Sequence, residues 1–349
     1  MKRTHLAPVL VTGCFAFLLF AVADPLPARS AEIAQGYRLG VHTQPSDPKP
    51  TFGHGLGSRL VSDGWLALYD GETTFGWTGA STADRALYGG RTTTVWKGRI
   101  GLRVKVTKPG RLVCGKESLE LGFGTIISEL RSDLAAPLEL ADGLAVTALA
   151  VLPEVPPLED TTWRVLKHSR NTAENQTRWS FSDGRIRALG GPGCVELQAD
   201  GKARELGDFV LQAEVTTHRP LTNGGIFFRA IAGDFMNGYE AQVFNGCLEE
   251  DAKKPSTWST GAIDDRMNAR RLVSRDVTPF YYTIHASGRH IAVWINGFQQ
   301  VDWTDDRPED DNARKGRRTK PGALQLQAHD PETDVEFARL RIQSFDAAR

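Results

Sequence analysis

From residue 60 onward the chain is a succession of short β-branched and aromatic runs, each closed by glycine, asparagine or aspartate. That pattern leaves room for little other than β-structure. Such runs fall at 100–106, 209–216, 225–229, 239–244, 280–285, 291–295, 323–327 and 335–342, and no stretch carries the 3.6-residue apolar period of a long amphipathic helix. Asn296-Gly297 stands between the runs 291–295 and 299–303. Both residues tolerate positive φ, so the pair predicts a two-residue hairpin turn. Many short strands with such turns predict a sandwich or a barrel, and 349 residues suit one or two of them. Ala86-Leu87-Tyr88-Gly89-Gly90 ahead of the run 100–106 echoes Ala188-Leu189-Gly190-Gly191 ahead of the run 209–215. A small β-unit is therefore expected at about 80–155, closed by Pro153, Pro156 and Pro157.

The first thirty residues read as a secretory signal peptide. Lys2 and Arg3 precede an apolar run, and Ala21-Val22-Ala23 or Ala28-Arg29-Ser30 offers a cleavage site. The expected location is secreted or periplasmic, with no membrane span in the mature chain. Cys14 sits in a lipoprotein-like box, but the most apolar part of the leader follows it, which argues against lipid anchoring there. Residues 31–58, broken by Pro45, Pro48 and Pro50 and ending near Gly53-His54-Gly55-Leu56-Gly57, read as a linker. Basic and acidic side chains number 42 each, a balance that argues against a nucleic-acid partner. The one basic cluster, Arg314-Lys315-Gly316-Arg317-Arg318, follows Asp305, Asp306, Glu309, Asp310 and Asp311 and reads as an exposed, self-neutralising loop. Cys114, Cys194 and Cys247 are widely spaced and form no CxxC pair, which excludes a zinc ribbon or a thioredoxin-like motif; which of them pair, if any, the spacing leaves open.

A set of short blocks recurs in a fixed order. Leu68-Tyr69-Asp70-Gly71-Glu72 with Gly76-Trp77 opens it, and Trp179-Ser180-Phe181-Ser182-Asp183-Gly184 follows. Then come Asp208-Phe209-Val210-Leu211, Asn223-Gly224-Gly225-Ile226-Phe227-Phe228-Arg229, Gly238-Tyr239-Glu240-Ala241-Gln242 and Thr260-Gly261-Ala262-Ile263. Trp294-Ile295-Asn296-Gly297 and Gly322-Ala323-Leu324-Gln325-Leu326-Gln327-Ala328-His329 complete the order. The ordered set resembles the 3-keto-disaccharide hydrolase domain family over about 180 residues plus the opening strand. The resemblance implies an all-β, concanavalin-like jelly-roll sandwich at 159–346 with a sugar-binding concave face. Residues 59–158 then hold an opening strand plus an N-terminal β-unit or insertion, and the strand near 66–70 is expected to pair within the C-terminal domain. The chain departs from the family at Asn223-Gly224-Gly225, at Phe337-Ala338-Arg339-Leu340 and in the long stretch between Trp77 and Trp179.

Strand alternation decides which side chains can meet. In 239–244, Glu240 and Gln242 share one face and Tyr239, Ala241 and Val243 the other; in 324–329, Gln325, Gln327 and His329 oppose Leu324, Leu326 and Ala328. Arg229 ends an apolar strand, where its guanidinium needs a partner such as Glu240. The resemblance implies action on 3-keto-glycosides, by elimination and hydration or by direct hydrolysis with two carboxylates such as Glu240 and Asp264, the latter less favoured because nothing in the sequence fixes their separation. A C3 ketone acidifies the C2 hydrogen, so a base removes it, the C1 substituent leaves, and water adds to the unsaturated sugar. Glu240 or His329 is the candidate base, and Arg229 the candidate oxyanion stabiliser, a role a divalent cation could share. No metal-ligand spacing is present. Asn223, Gln242, Asp264, Gln325, Gln327 and Trp258 are candidate sugar-binding residues. Asp302, Asp305 and Asp306 lack the spacing of a calcium loop and read as a solvated hairpin end. Trp294 and Trp303 could stack on sugars, although Trp294, between Val293 and Ile295, fits a core equally well. The chain also lacks HExxH, GxSxG and P-loop motifs. The expected partner is thus a carbohydrate, and the rival readings are a non-catalytic carbohydrate-binding module and a structural surface protein.

Overall fold

The computed structural model describes residues 56–167, 177–312 and 314–345; the expected signal peptide and most of the expected linker lie outside them. Where the linker enters the described residues it is already packed. Leu56 is buried against Val61, Ala67 and Ala150, and the short helix Ser58–Ser62 follows at once. Among the described residues no helix is long and apolar enough to cross a membrane.

Residues 160–345 form a jelly-roll sandwich of two antiparallel sheets. The front sheet runs Thr162–Leu166, Gly193–Ala199, Gly322–Ala328, Gly224–Ala230, Tyr239–Val243. The back sheet runs Arg178–Ser182, Arg185–Leu189, Asp334–Ser344, Phe209–Thr217, Phe280–Ser287, His290–Ile295, Phe298–Thr304. Alternation places Ile226, Phe228, Tyr239, Ala241, Val243, Leu324 and Leu326 against Leu211, Val215, Phe280, Ile284, Val293 and Phe337 in one buried cluster. Each such aliphatic or aromatic side chain contributes about 1.5–3 kcal/mol on burial. The Asn296-Gly297 turn joins His290–Ile295 to Phe298–Thr304, with Ile295 opposite Phe298 and φ of +51° and +75°, as the dipeptide predicts.

The stretch from Leu66 to Pro153 builds a separate nine-stranded sheet around two 18-residue strands, Arg91–Lys108 and Gly124–Ala141, with Ala145–Pro153 beside the first. The opening strand does not pair where it was expected. Leu66–Ala67 pairs with Ala145–Pro153, so it belongs to this N-terminal sheet. It still touches the C-terminal domain, since Ala67 N donates to Gly297 O at 2.9 Å and Trp294 Nε1 donates to Ala67 O at 3.0 Å. The reason lies on the outer face of the back sheet, where Ala292 and Trp294 are apolar and join the core of the N-terminal sheet beside Trp96. Trp294 is thereby core, not a sugar platform.

His285 lies in this junction, fully buried, with Nε2 at 2.6 Å from Val95 O and its ring 5.5 Å from that of Trp96. Burial disfavours the imidazolium and, despite the Val95 carbonyl, pushes its pKa down to about 4. The unfolded chain, with an ordinary histidine pKa near 6.5, takes up the proton first. His285 therefore supports the fold above pH 6.5, and that support is lost as pH falls towards 4, by up to about 3 kcal/mol. Melting curves of His285→Gln should show a flatter fall between pH 7 and 4.5 than the parent; parallel curves would mean that His285 has no part in acid unfolding.

Candidate active site

Because the N-terminal sheet covers the back sheet, the outer face of the front sheet is the face left for a ligand. Strand register sets two rows of side chains across it. Cys194, Gln327, Gly225 and Gln242 stand in one row, and Glu196, Gln325, Phe227 and Glu240 in the next. Both rows are polar yet buried, with Glu240, Gln242, Gln325 and Gln327 each at most 5% exposed. A buried polar row has to be paired, and what pairs it divides the face into two halves.

Over the Glu196 and Gln325 half, residues 231–237 form a strap held by side chains of the sheet. Gly233 N donates to Glu196 Oε2 at 2.6 Å and Met236 N to Gln325 Oε1 at 3.2 Å, while Gln325 Nε2 donates to Asp234 O at 2.8 Å. Glu196 also accepts from Arg164 at 2.7 Å and Gln198 at 2.9 Å. Met236 packs with Phe227, Ala230 and Ala323 beneath. Gln325, expected to meet sugar, is therefore committed to the strap.

The other half carries the charge. Glu240 and Asp264 lie side by side, since Asp264 N donates to Glu240 O at 2.9 Å. Arg314 bridges the two carboxylates, with Nη1 3.2 Å from Glu240 Oε2 and Nη2 2.7 Å from Asp264 Oδ2, and its guanidinium sits 5.5 Å from the centre of the Phe227 ring. Burial first and the Asp264 charge second push the Glu240 pKa up to about 7, against the pull of Arg314 and His329. His329, next to Asp330, has its Nδ1 2.7 Å from Asp330 Oδ1. Burial opposes the imidazolium, but the Asp330 hydrogen bond and the charges of Asp330, Glu240 and Asp264 outweigh it and raise the pKa. Gly225 is the floor between these groups. A Cβ there would stand 2.8 Å from Glu240 Oε1 and 3.2 Å from Gln327 Oε1, so only glycine lets both side chains lie over the strand.

Glu240, Asp264, Gln242, Gln327, Asn223 and His329 are thus brought to one half of one face, and Arg229 is not. Arg229 has φ +48° at a bulge between Phe227 and Ala230, which turns its side chain off the face that regular alternation assigns it. There it donates to Gly207 O at 2.9 Å, Gly288 O at 2.7 Å, Arg318 O at 2.9 Å and Asp208 Oδ1 at 3.0 Å. It ties loops together in place of the expected pairing with Glu240. Such a left-handed residue costs about 1–3 kcal/mol, which these bonds offset. Trp258 is half-buried in the loop after Tyr239–Val243, its N donating to Ser256 Oγ at 3.1 Å. Trp303 packs edge-on to Tyr239 at 6.1 Å.

Arg314 is the main residue that strand reasoning missed, because the charged loop was expected to neutralise itself. Arg317 does approach Glu309, at 4.0 Å, but Arg314 turns inward. Two buried carboxylates call for a cation, but their joint burial becomes visible only in the fold, so the strand pattern gave no signal toward this loop. Asp302, Asp305 and Asp306 are engaged by His290, Arg307 and Arg289. Among the described residues no set of three or more His, Cys, Asp or Glu side chains is gathered as a metal centre would need. Cys114 and Cys194 are buried in different sheets, and Cys247 is buried in the loop after Tyr239–Val243.

Comparison with known proteins follows the same division of the chain. Residues 161–343 match the 3-keto-alpha-glucoside-1,2-lyase-like domain. No curated protein matches the chain. Among solved structures, a Parabacteroides distasonis protein named by inference as a glycosyl hydrolase is 20% identical, with a TM-score of 0.39 over 53% of this chain and 100% of its own. The carbohydrate-binding module CBM66 from Bacillus subtilis is 10% identical, with a TM-score of 0.34 over 55% of this chain and 98% of its own. A Bacillus subtilis protein of galectin-like fold is 10% identical, with a TM-score of 0.34 over 52% of this chain and 89% of its own. With more than half of its 349 residues inside the matched region, the chain belongs to the 3-keto-alpha-glucoside-1,2-lyase-like domain family.

Proposed function

We propose that this is an exported enzyme that cleaves 3-keto-glycosides by elimination and hydration. The observation that carries the reading is a buried carboxylate, Glu240, with its pKa pushed up to about 7 on the same face as a histidine whose pKa its charge helps to raise. The carboxyl can serve as the base, and the histidine, held in its charged form by its acidic neighbours, as the acid, as general acid–base catalysis requires. Glu240 takes the C2 proton, and the electron pair moves into an enolate whose oxygen at C3 is stabilised by the Arg314 guanidinium. The C1–O bond then breaks, a C1=C2 bond forms, and His329 donates its proton to the departing oxygen. Water adding at C1 gives the free 3-keto sugar. Arg314 takes the role first assigned to Arg229, and no step calls for the divalent cation.

A binding module is the weaker reading on this face. Such modules present open aromatic platforms, whereas here Trp294 is buried in the domain junction and the strap covers one half of the front face. The test uses the exported chain, whose intact mass should place its first residue at Asp24 or Ala31. Release of the C1 substituent is followed for methyl 3-keto-α-glucoside and unoxidised methyl α-glucoside. Turnover of the ketone alone is expected; equal turnover of both, or binding of both with no turnover, would remove the elimination mechanism.

A further inference from the structure

Two buried oxygens on the outer face of the front sheet have no donor. Asn223 Oδ1 and Gln327 Oε1 lack a hydrogen-bond partner among the described residues, although the two residues are only 6% and 2% exposed. Leaving a buried acceptor without a donor is costly, so two on one face mark a place where donors arrive. Asn223 extends the strand that holds Gly225, and its carbonyl accepts from His329 N at 3.2 Å. The Gln327 amide donates Nε2 to Met236 Sδ at 3.1 Å, and its Oε1 lies with Glu240 Oε1 over Gly225. Beside these groups the strap over Glu196 and Gln325 closes the face.

An acceptor accepts from a free hydroxyl and cannot accept from an ether or ester at the same position. A closed end leaves no room for a further sugar. We propose that the ring bound here is a terminal glycosyl residue with free hydroxyls, and that Asn223 and Gln327 determine this specificity by accepting from two of them. The inference rests on the reading that this face holds a sugar, and it does not require the elimination step.

The test compares kcat/KM for methyl 3-keto-α-glucoside and its mono-O-methyl derivatives at each remaining hydroxyl, together with dissociation constants for the matching unoxidised series. One or two methylated positions should lose about 100-fold or more in both series, since a site built to bond a hydroxyl rejects the analogue that lacks it. Gln327→Leu and Asn223→Leu should each abolish the discrimination at one position, with melting temperature unchanged or raised because an unpaired buried acceptor is gone. Discrimination within about threefold at every position, or discrimination that survives both substitutions, overturns the proposal. Selective binding of the unoxidised series without turnover of any ketone leaves this inference standing and removes the lyase reading. Turnover of ketones without discrimination does the reverse, and a protein that neither binds nor turns over any of these sugars overturns both.

Discussion

Glu240→Gln is expected to lower turnover of a 3-keto-glycoside by roughly 10²–10⁴, the contribution of a positioned general base. Sugar affinity should change little, since an amide of the same shape can still meet hydroxyls. The fold should not suffer. The Glu240 pKa is raised in the folded chain, so its ionisation costs stability as pH rises from about 4.5 through about 7, and the neutral amide removes that cost. Arg314 keeps Asp264 at 2.7 Å. The melting temperature at pH 8 should therefore hold or rise while turnover collapses. If the parent chain turns over the ketone through Glu240, kcat/KM should rise with pH through about 7 as Glu240 ionises, then fall as His329 deprotonates. Unchanged turnover per folded molecule would take Glu240 off the catalytic list.

Arg314→Gln is expected to cost stability in a pH-dependent way. It leaves Glu240 and Asp264, 5% and 7% exposed, without the cation that bridges them. Removing one partner of a buried ion pair costs about 3–5 kcal/mol, and because the Arg314 side chain is itself 35% exposed the lower end applies. The sign follows from protonation. Without Arg314 the folded-state pKa of Glu240 rises further, so the deficit is small near pH 4, where the carboxyl is neutral, and full at pH 8. Denaturant unfolding at the two pH values reads it directly. Adding Glu240→Gln to Arg314→Gln should restore much of the loss, a coupling that only interacting residues show. A deficit equal at both pH values, with no rescue in the double variant, would mean that Arg314 acts only through packing.

The strands were legible in the sequence because their cause is local. Alternation of apolar and polar residues within 239–244 and 324–329 assigned the correct side chains to core and face, and Asn296-Gly297 specified its hairpin through its own φ preferences. The placement of Glu240, Gln327 and His329 on one face followed from that alternation together with the ordered blocks that carry the family resemblance, whereas the position of Asp264, outside the strands, did not. Three features were decided only by the tertiary structure. A bulge at Arg229 breaks the period of two, and no composition rule places a bulge at that residue. The 66–67 strand pairs with whichever sheet buries Leu66, a matter settled by the apolar outer face of Ala292 and Trp294 nearly 230 residues away. Arg314 looks like one charge among many in a loop, and it becomes the counter-ion of the site only because folding buries two carboxylates together and a lone buried charge costs too much to persist. The sequence by itself determined which side chains share a strand face; the tertiary structure decided which faces are covered, and a buried charge takes its partner from whatever segment covers it.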